Sequence, residues 1–177
     1  MEEFEKIIEE EKTPLIKRIS IIILSIFLIF LVVSYLLTNS SVRNVVVGLV
    51  ESEKLVNYEV KISEDNKLVF TESTYDQLMD IFDVHTEVEF KVCLKGEVID
   101  GDYFIDYIYI PTTYSQSYNR VVAEPCSDDS LIDMHSHPLK HCLPSEKDLN
   151  NFENFKEKNE NAMMAIMCQR DRFNFYF

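Results

Sequence analysis

The stretch that decides how this chain is read is His135-Ser136-His137-Pro138-Leu139-Lys140-His141-Cys142-Leu143-Pro144-Ser145-Glu146-Lys147-Asp148. In an extended segment residues two apart point the same way, so His135 and His137 present both imidazoles to one point. Pro138 discourages further ladder pairing, and Pro144-Ser145 reads as the approach to a helix N-terminus with Asp148 in its first turn. A short loop then brings Asp148 back beside the strand end, so that two nitrogens and one carboxylate oxygen converge. Three protein ligands of that kind suit zinc with an open fourth position. Each residue also has an ordinary reading. His-x-His alone is a common strand pattern, Ser145-x-x-Asp148 is a helix-capping pattern, and an acid at a helix start is favoured by the dipole. His141 and Cys142 compete as ligands, but Pro138 and Pro144 prevent the helix that would place His137 and His141 on one face. Lys140, His141 and Cys142 are therefore read as a loop at the rim of the cleft.

Composition narrows the function classes. With 177 residues the chain has room for one ordinary domain and something extra. A formal net charge of −14 and no basic patch argue against nucleic acid as a partner. Cys93, Cys126, Cys142 and Cys168 form no Cys-x-x-Cys pair, which speaks against a zinc ribbon or a redox motif. Cys126 and Cys142 flank the histidine strand and would be the two to pair outside the cytoplasm; isolated buried thiols are the blander expectation.

Residues 1–14 begin with six glutamates in eleven positions. Phe4, Ile7 and Ile8 are spaced for a short amphipathic helix, but the run is better read as a solvated acidic tail. From Ile19 to Leu37 nineteen residues carry no charge. As a helix they cover roughly 28 Å, the thickness of a bilayer's hydrocarbon. A secretory signal has a shorter apolar run followed by small residues at a cleavage site, so residues 15–38 are read as an uncleaved transmembrane anchor in contact with the lipid bilayer. Lys6, Lys12, Lys17 and Arg18 precede the charge-free run Ile19–Leu37, and Arg43 and Lys54 come after it. That count leans towards a cytoplasmic N-terminus and an external domain.

Residues 39–56 are expected to be a linker, with residues 57–177 as the soluble domain. Tyr58–Ile62 and Leu68–Phe70 alternate as strands around a Ser63–Asn66 turn. Ser73 or Thr74 caps a helix carrying Tyr75, Leu78, Met79 and Phe82. Thr86–Val98 reads as a half-exposed strand, with Val88, Phe90 and Val92 on one face and Glu87, Glu89 and Lys91 on the other. Asp100-Gly101 is a hairpin turn before a strand at Tyr103–Ile110. Residues 112–130 look irregular apart from Val121–Ala123. Leu131–Met134 is the strand that delivers His135, a helix runs on to about Lys158, and two strands close the sequence.

The spacing His-Ser-His-Pro-x6-Ser-x-x-Asp, complete over His135, His137, Ser145 and Asp148, resembles the signature of the JAMM (MPN+) metalloprotease family. The resemblance implies an α/β fold of cytidine-deaminase-like type, a mixed β-sheet flanked by helices, here preceded by one transmembrane helix. It implies a Zn2+ held by His135, His137 and Asp148, with Ser145 helping to stabilise an oxyanion. It also implies an upstream glutamate as general base. Glu89, seven residues before Gly96 and directly after a predicted helix, fits that place, with Glu87 and then Glu97 behind it. The implied activity is a zinc metallopeptidase or isopeptidase acting on a protein or peptide substrate, with conjugates of a ubiquitin-like modifier among the candidates. Those conjugates imply a cytoplasmic domain; an external one implies secreted or envelope substrates. Val92 stands where that family has a small residue, Asp133 and Met134 where it has aromatics, and the insertions that grip ubiquitin-like substrates have no counterpart. The reading from a different class is a catalytically silent, membrane-tethered docking domain of the same fold.

Overall fold

The computed structural model describes residues 15–139 and 142–177 of the chain. The acidic run of residues 1–14 and the rim positions Lys140 and His141 lie outside the described residues. The chain divides between Arg43 and Asn44 into two compact units.

The first unit contains α1 (Leu15–Thr38), 24 residues with no buried position. Its polar side chains bond back to their own helix: Ser25 Oγ donates to the Ile21 carbonyl at 2.8 Å and Thr38 Oγ1 to that of Ser34 at 2.7 Å. The helix is long and apolar enough to cross a membrane.

The stretch 39–56, expected to be a linker, carries regular secondary structure over most of its length. Asn39 Oδ1 accepts the Val42 N–H at 3.2 Å and opens α2 (Ser40–Glu51), which leads into β1 (Glu53–Lys54). The valine-rich run at 45–50 conceals helical periodicity, because β-branched residues on neighbouring positions read equally well as a strand. Val56 and Glu59 then exchange backbone hydrogen bonds of 2.8 and 3.1 Å across Asn57 and Tyr58, both at positive φ, as a two-residue turn of the primed kind requires.

The remaining elements are β2 (Glu59–Lys61), β3 (Lys67–Phe70), α3 (Glu72–Val84), β4 (Lys91–Ile99), β5 (Asp102–Tyr109), β6 (Thr113–Ser117), β7 (Arg120–Ala123), β8 (Ile132–Ser136), α4 (Glu146–Lys156), β9 (Met163–Gln169) and β10 (Arg172–Tyr176). Among the described residues eight strands form one mixed sheet in the order β1-β10-β9-β8-β4-β5-β3-β2. The first and last of these are joined by the turn at Asn57-Tyr58, so the sheet nearly closes on itself. The β3–β5 and β8–β9 pairs are parallel and the others antiparallel.

Three expectations change. The cap of α3 is Thr71, ahead of the expected residues; Thr74 instead turns its hydroxyl to the Ile105 carbonyl at 3.1 Å. The segment 112–130 is not irregular throughout: β6 and β7 pair as a separate hairpin. The cysteines are neither isolated thiols nor a Cys126–Cys142 pair. They form Cys93–Cys126 and Cys142–Cys168 bridges, pairings set by which strands become neighbours and not by separation along the chain.

The two faces of the sheet separate by alternation. Val92 and Leu94 of β4, Ile132 and Met134 of β8, and Met163, Ala165 and Met167 of β9 enter one core with Leu78 and Met79 of α3. The intervening residues face the other way, where Phe152 and Phe155 of α4 pack with Met164, Cys93 and Cys126. His135 is on this second face, at the end of β8.

Candidate metal centre

Why the strand end and the helix start meet is visible in the chain between them. Residues 137–145 connect β8 to α4, and Cys142 in that connection is bridged to Cys168 near the end of the adjacent β9. The Cys142 carbonyl also accepts hydrogen bonds from Asn174 Nδ2 at 3.2 Å and Tyr176 Oη at 3.3 Å. Gly48 of α2 lies so close that a Cβ there would sit 2.8 Å from Cys142 Cβ. The loop is thus held on three sides, and α4 starts where it must to point Asp148 at the histidines.

Ser145 is the N-cap of α4, and its pairing with Asp148 is a reciprocal capping box. The Asp148 N–H donates to Ser145 Oγ at 3.2 Å, while Asp148 Oδ2 accepts the Ser145 N–H at 2.8 Å and its hydroxyl at 2.6 Å. The capping and ligand readings therefore coincide in one residue: the cap fixes the rotamer that aims the carboxylate. Asp148 Oδ2 lies 3.6 Å from His135 Nε2 and 4.0 Å from His137 Nε2. One potential ligand atom from each of His135, His137 and Asp148 lies within 4.8 Å of the others, so these three residues could hold a metal ion. The two imidazole rings are 4.9 Å apart, centre to centre.

His135 Nε2 is the one buried side-chain nitrogen or oxygen among the described residues without a hydrogen-bond partner. An unmade hydrogen bond at a buried polar atom is costly, on the order of 1–3 kcal/mol. A metal ion at that nitrogen would remove the cost, and the donor set, two imidazoles and a carboxylate, is of the right chemical kind.

Glu89 is not on the exposed face of a strand, as its alternation with Glu87 and Lys91 suggests. It sits two residues before β4 and is 7% exposed. The antiparallel register pairs Lys91 with His135, and its continuation places Glu89 opposite His137. Glu89 Oε1 is 3.8 Å from His137 Nε2. The middle residue of His-Ser-His explains the alignment: the Phe90 N–H donates to buried Ser136 Oγ at 3.0 Å, and the Ser136 N–H donates to the Phe90 carbonyl at 2.9 Å. On the other side the Glu89 N–H donates to the Ser117 carbonyl of β6 at 2.8 Å. Neither the bond of Ser136 to Phe90 nor the part played by the β6–β7 hairpin is recognisable from sequence, because both act through backbone groups of a distant segment.

The electrostatics set the two acids apart. Burial pushes the Glu89 carboxyl up to about 7, with Asp148 adding to the rise and His135 and the Val121 backbone opposing it. Burial also acts to raise Asp148, but the His135 side chain and then Ser145 outweigh it and hold the carboxyl well below the usual range. Asp148 is therefore a fixed anion and Glu89 a group that exchanges a proton near neutrality. A cleft of about 210 Å³ opens against His135 and Asp148, lined also by Lys91, Val121, Asp133 and Lys147. Within it Lys91 Nζ and Asp133 Oδ2 form a largely buried ion pair of 2.7 Å. Glu87 and Glu97, the lesser candidates for the upstream acid, are both exposed. Compared with known proteins, the chain matches no family model, and no characterised protein is significantly similar to it.

Proposed function

We propose that the protein is a membrane-anchored, zinc-dependent hydrolase of amide or isopeptide bonds in a protein or peptide substrate. The observation that carries this reading is the convergence of His135, His137 and Asp148 around a buried Nε2 that makes no hydrogen bond, with the Glu89 carboxyl beside them. His135, His137 and Asp148 would hold the zinc, which when bound acidifies water and polarises a carbonyl. Glu89 holds and moves the proton. Its carboxylate takes one from the attacking water as the new C–O bond forms, and returns it to the departing amine nitrogen as the C–N bond breaks. In the metal-free protein burial raises this carboxyl, which makes it the stronger proton acceptor of the two acids. Asp148, anionic throughout, keeps its charge on the ligand side. Ser145 lends its hydroxyl to Asp148, and to donate to a developing oxyanion it must swing away from that partner. The apolar α1 supports attachment to a bilayer, since every one of its residues is left without burial by the protein.

The test is metal content together with one substitution. The purified full chain should carry one equivalent of zinc and cleave members of a panel of fluorogenic peptides and lysine-ε-linked isopeptides. Glu89→Gln should keep the zinc while its rate falls by about 10²–10⁴. A chain that takes up no zinc would instead be a tethered docking domain.

A further inference from the structure

We infer that the folded unit works on the outer, oxidising side of the membrane, so that its substrates are amide bonds in exported or membrane-bound polypeptides and not conjugates in the cytoplasm. The substrate class rests on the hydrolase reading above; the sidedness does not.

The first observation is the state of the cysteines. All four are joined, as Cys93–Cys126 and Cys142–Cys168, and none is free. Paired structural cysteines persist in compartments outside the cytoplasm, whereas cytoplasmic thiols are kept reduced. The bridges are not at the periphery of the fold. Cys93 is in β4 and Cys168 in β9, the two strands that flank the histidine strand β8. Cys93 is paired in register with Asp133, two residues before His135. Cys168 comes directly after Met167, whose carbonyl accepts the His137 N–H at 3.0 Å. Its partner Cys142 stands in the loop between His137 and Asp148, the segment that must hold its shape for the three ligand atoms to converge. One bridge thus ties down each side of the metal strand, and the second also closes the loop that sets the third ligand. A site built around two such bridges has its formed geometry where thiols oxidise.

The second observation is independent of the cysteines. Around the uncharged run Ile19–Leu37 of α1 the basic residues are Lys6, Lys12, Lys17 and Arg18 on the N-terminal side and Arg43 and Lys54 on the C-terminal side. The positive excess before the span keeps that end in the cytoplasm and sends the C-terminal side across. Redox chemistry and charge asymmetry, which have no physical connection with each other, select the same side.

The experiment uses sealed, right-side-out membrane vesicles from cells producing the full chain with an epitope at its C-terminus. Protease added outside should remove the epitope without detergent. A polyethylene-glycol maleimide should add nothing to the denatured chain before reduction and four adducts after it. An epitope that survives until detergent is added overturns the inference, as does a chain whose thiols react without reduction. Neither readout depends on metal or catalysis. A chain with external epitope and two bridges that binds no zinc sinks the hydrolase reading and leaves the sidedness standing. A protected epitope on an active zinc protein does the reverse.

Discussion

The two faces of β8 make an informative comparison. On one, Ile132 and Met134 are fully buried in the main core with Val92 and Leu94 of β4 and Met163, Ala165 and Met167 of β9. On the other, Asp133 is paired with Lys91, and His135 is buried with an unsatisfied nitrogen. The same five-residue strand thus carries both fully buried apolar side chains and a buried nitrogen without a hydrogen bond. Alternation makes this possible: a strand clamped by apolar packing on one side holds polar groups on the other in places they would not choose. Rigidity comes from one face and a candidate metal ligand from its opposite.

With that division, substitutions on the two faces separate stability from metal binding. The largest effect belongs to the apolar face. Met134→Ala should cost about 2–5 kcal/mol of unfolding free energy, as truncations at fully buried sites do, while the folded fraction still takes up zinc. Denaturant titration with zinc analysis of the native fraction checks this; loss of zinc from a variant that still folds would show that the faces are not separate.

On the polar face, the buried Glu89 carboxyl gives a pH signature in chelator-treated protein. Its folded pKa of about 7 is above the ordinary 4.5, so the folded state holds this proton more tightly than the unfolded chain. The stability associated with the protonated group is intact below about pH 4.5 and is lost as pH rises to 7, by at most about 3 kcal/mol. Glu89→Gln cannot ionise. Its stability relative to the parent should therefore grow between pH 4.5 and pH 7 and level off above. A constant difference across that range would mean that Glu89 is not held in the buried position beside His137.

The smallest stability effect should be that of Ser145→Ala, which removes the cap of α4 for about 1 kcal/mol. Because the same hydroxyl orients Asp148 Oδ2, zinc affinity should also fall, by about 10–100-fold, as it does when a group holding a metal ligand is removed. Competition with a zinc-chelating dye would measure it. Unchanged affinity would reduce Ser145 to a helix cap.

Part of this arrangement is legible in the sequence. The histidine pair, Pro138, the Ser145–Asp148 spacing and the Asp100-Gly101 turn are local patterns, and local geometry carries them into the structure with little change. Glu89 is picked out by its place in the chain, but not its environment. Alternation puts it on a solvated face, whereas the β6–β7 hairpin, hidden in a segment that looks irregular, bonds to its backbone and the residue is buried. The bond from Phe90 to Ser136 spans 46 residues, and the disulfides span 33 and 26, distances over which no periodicity survives. The helix α2 escapes a sequence reading for the opposite reason. Its valines suit a strand by local preference, and packing of Gly48 against Cys142 accompanies the helical outcome.

By itself, then, the amino-acid order determined an apolar helix of bilayer length, the alternating strands, and three metal-ligand types at a spacing that a strand, a loop and a helix start can bring together. Those depend on neighbours along the chain, where bond geometry and side-chain periodicity act directly. Tertiary structure alone decided that Glu89 is buried beside His137, which cysteines meet, and that His135 Nε2 is buried without a hydrogen bond. Each of those depends on which distant segments become adjacent, and adjacency comes from burying both faces of one sheet at once, a condition that no single stretch contains.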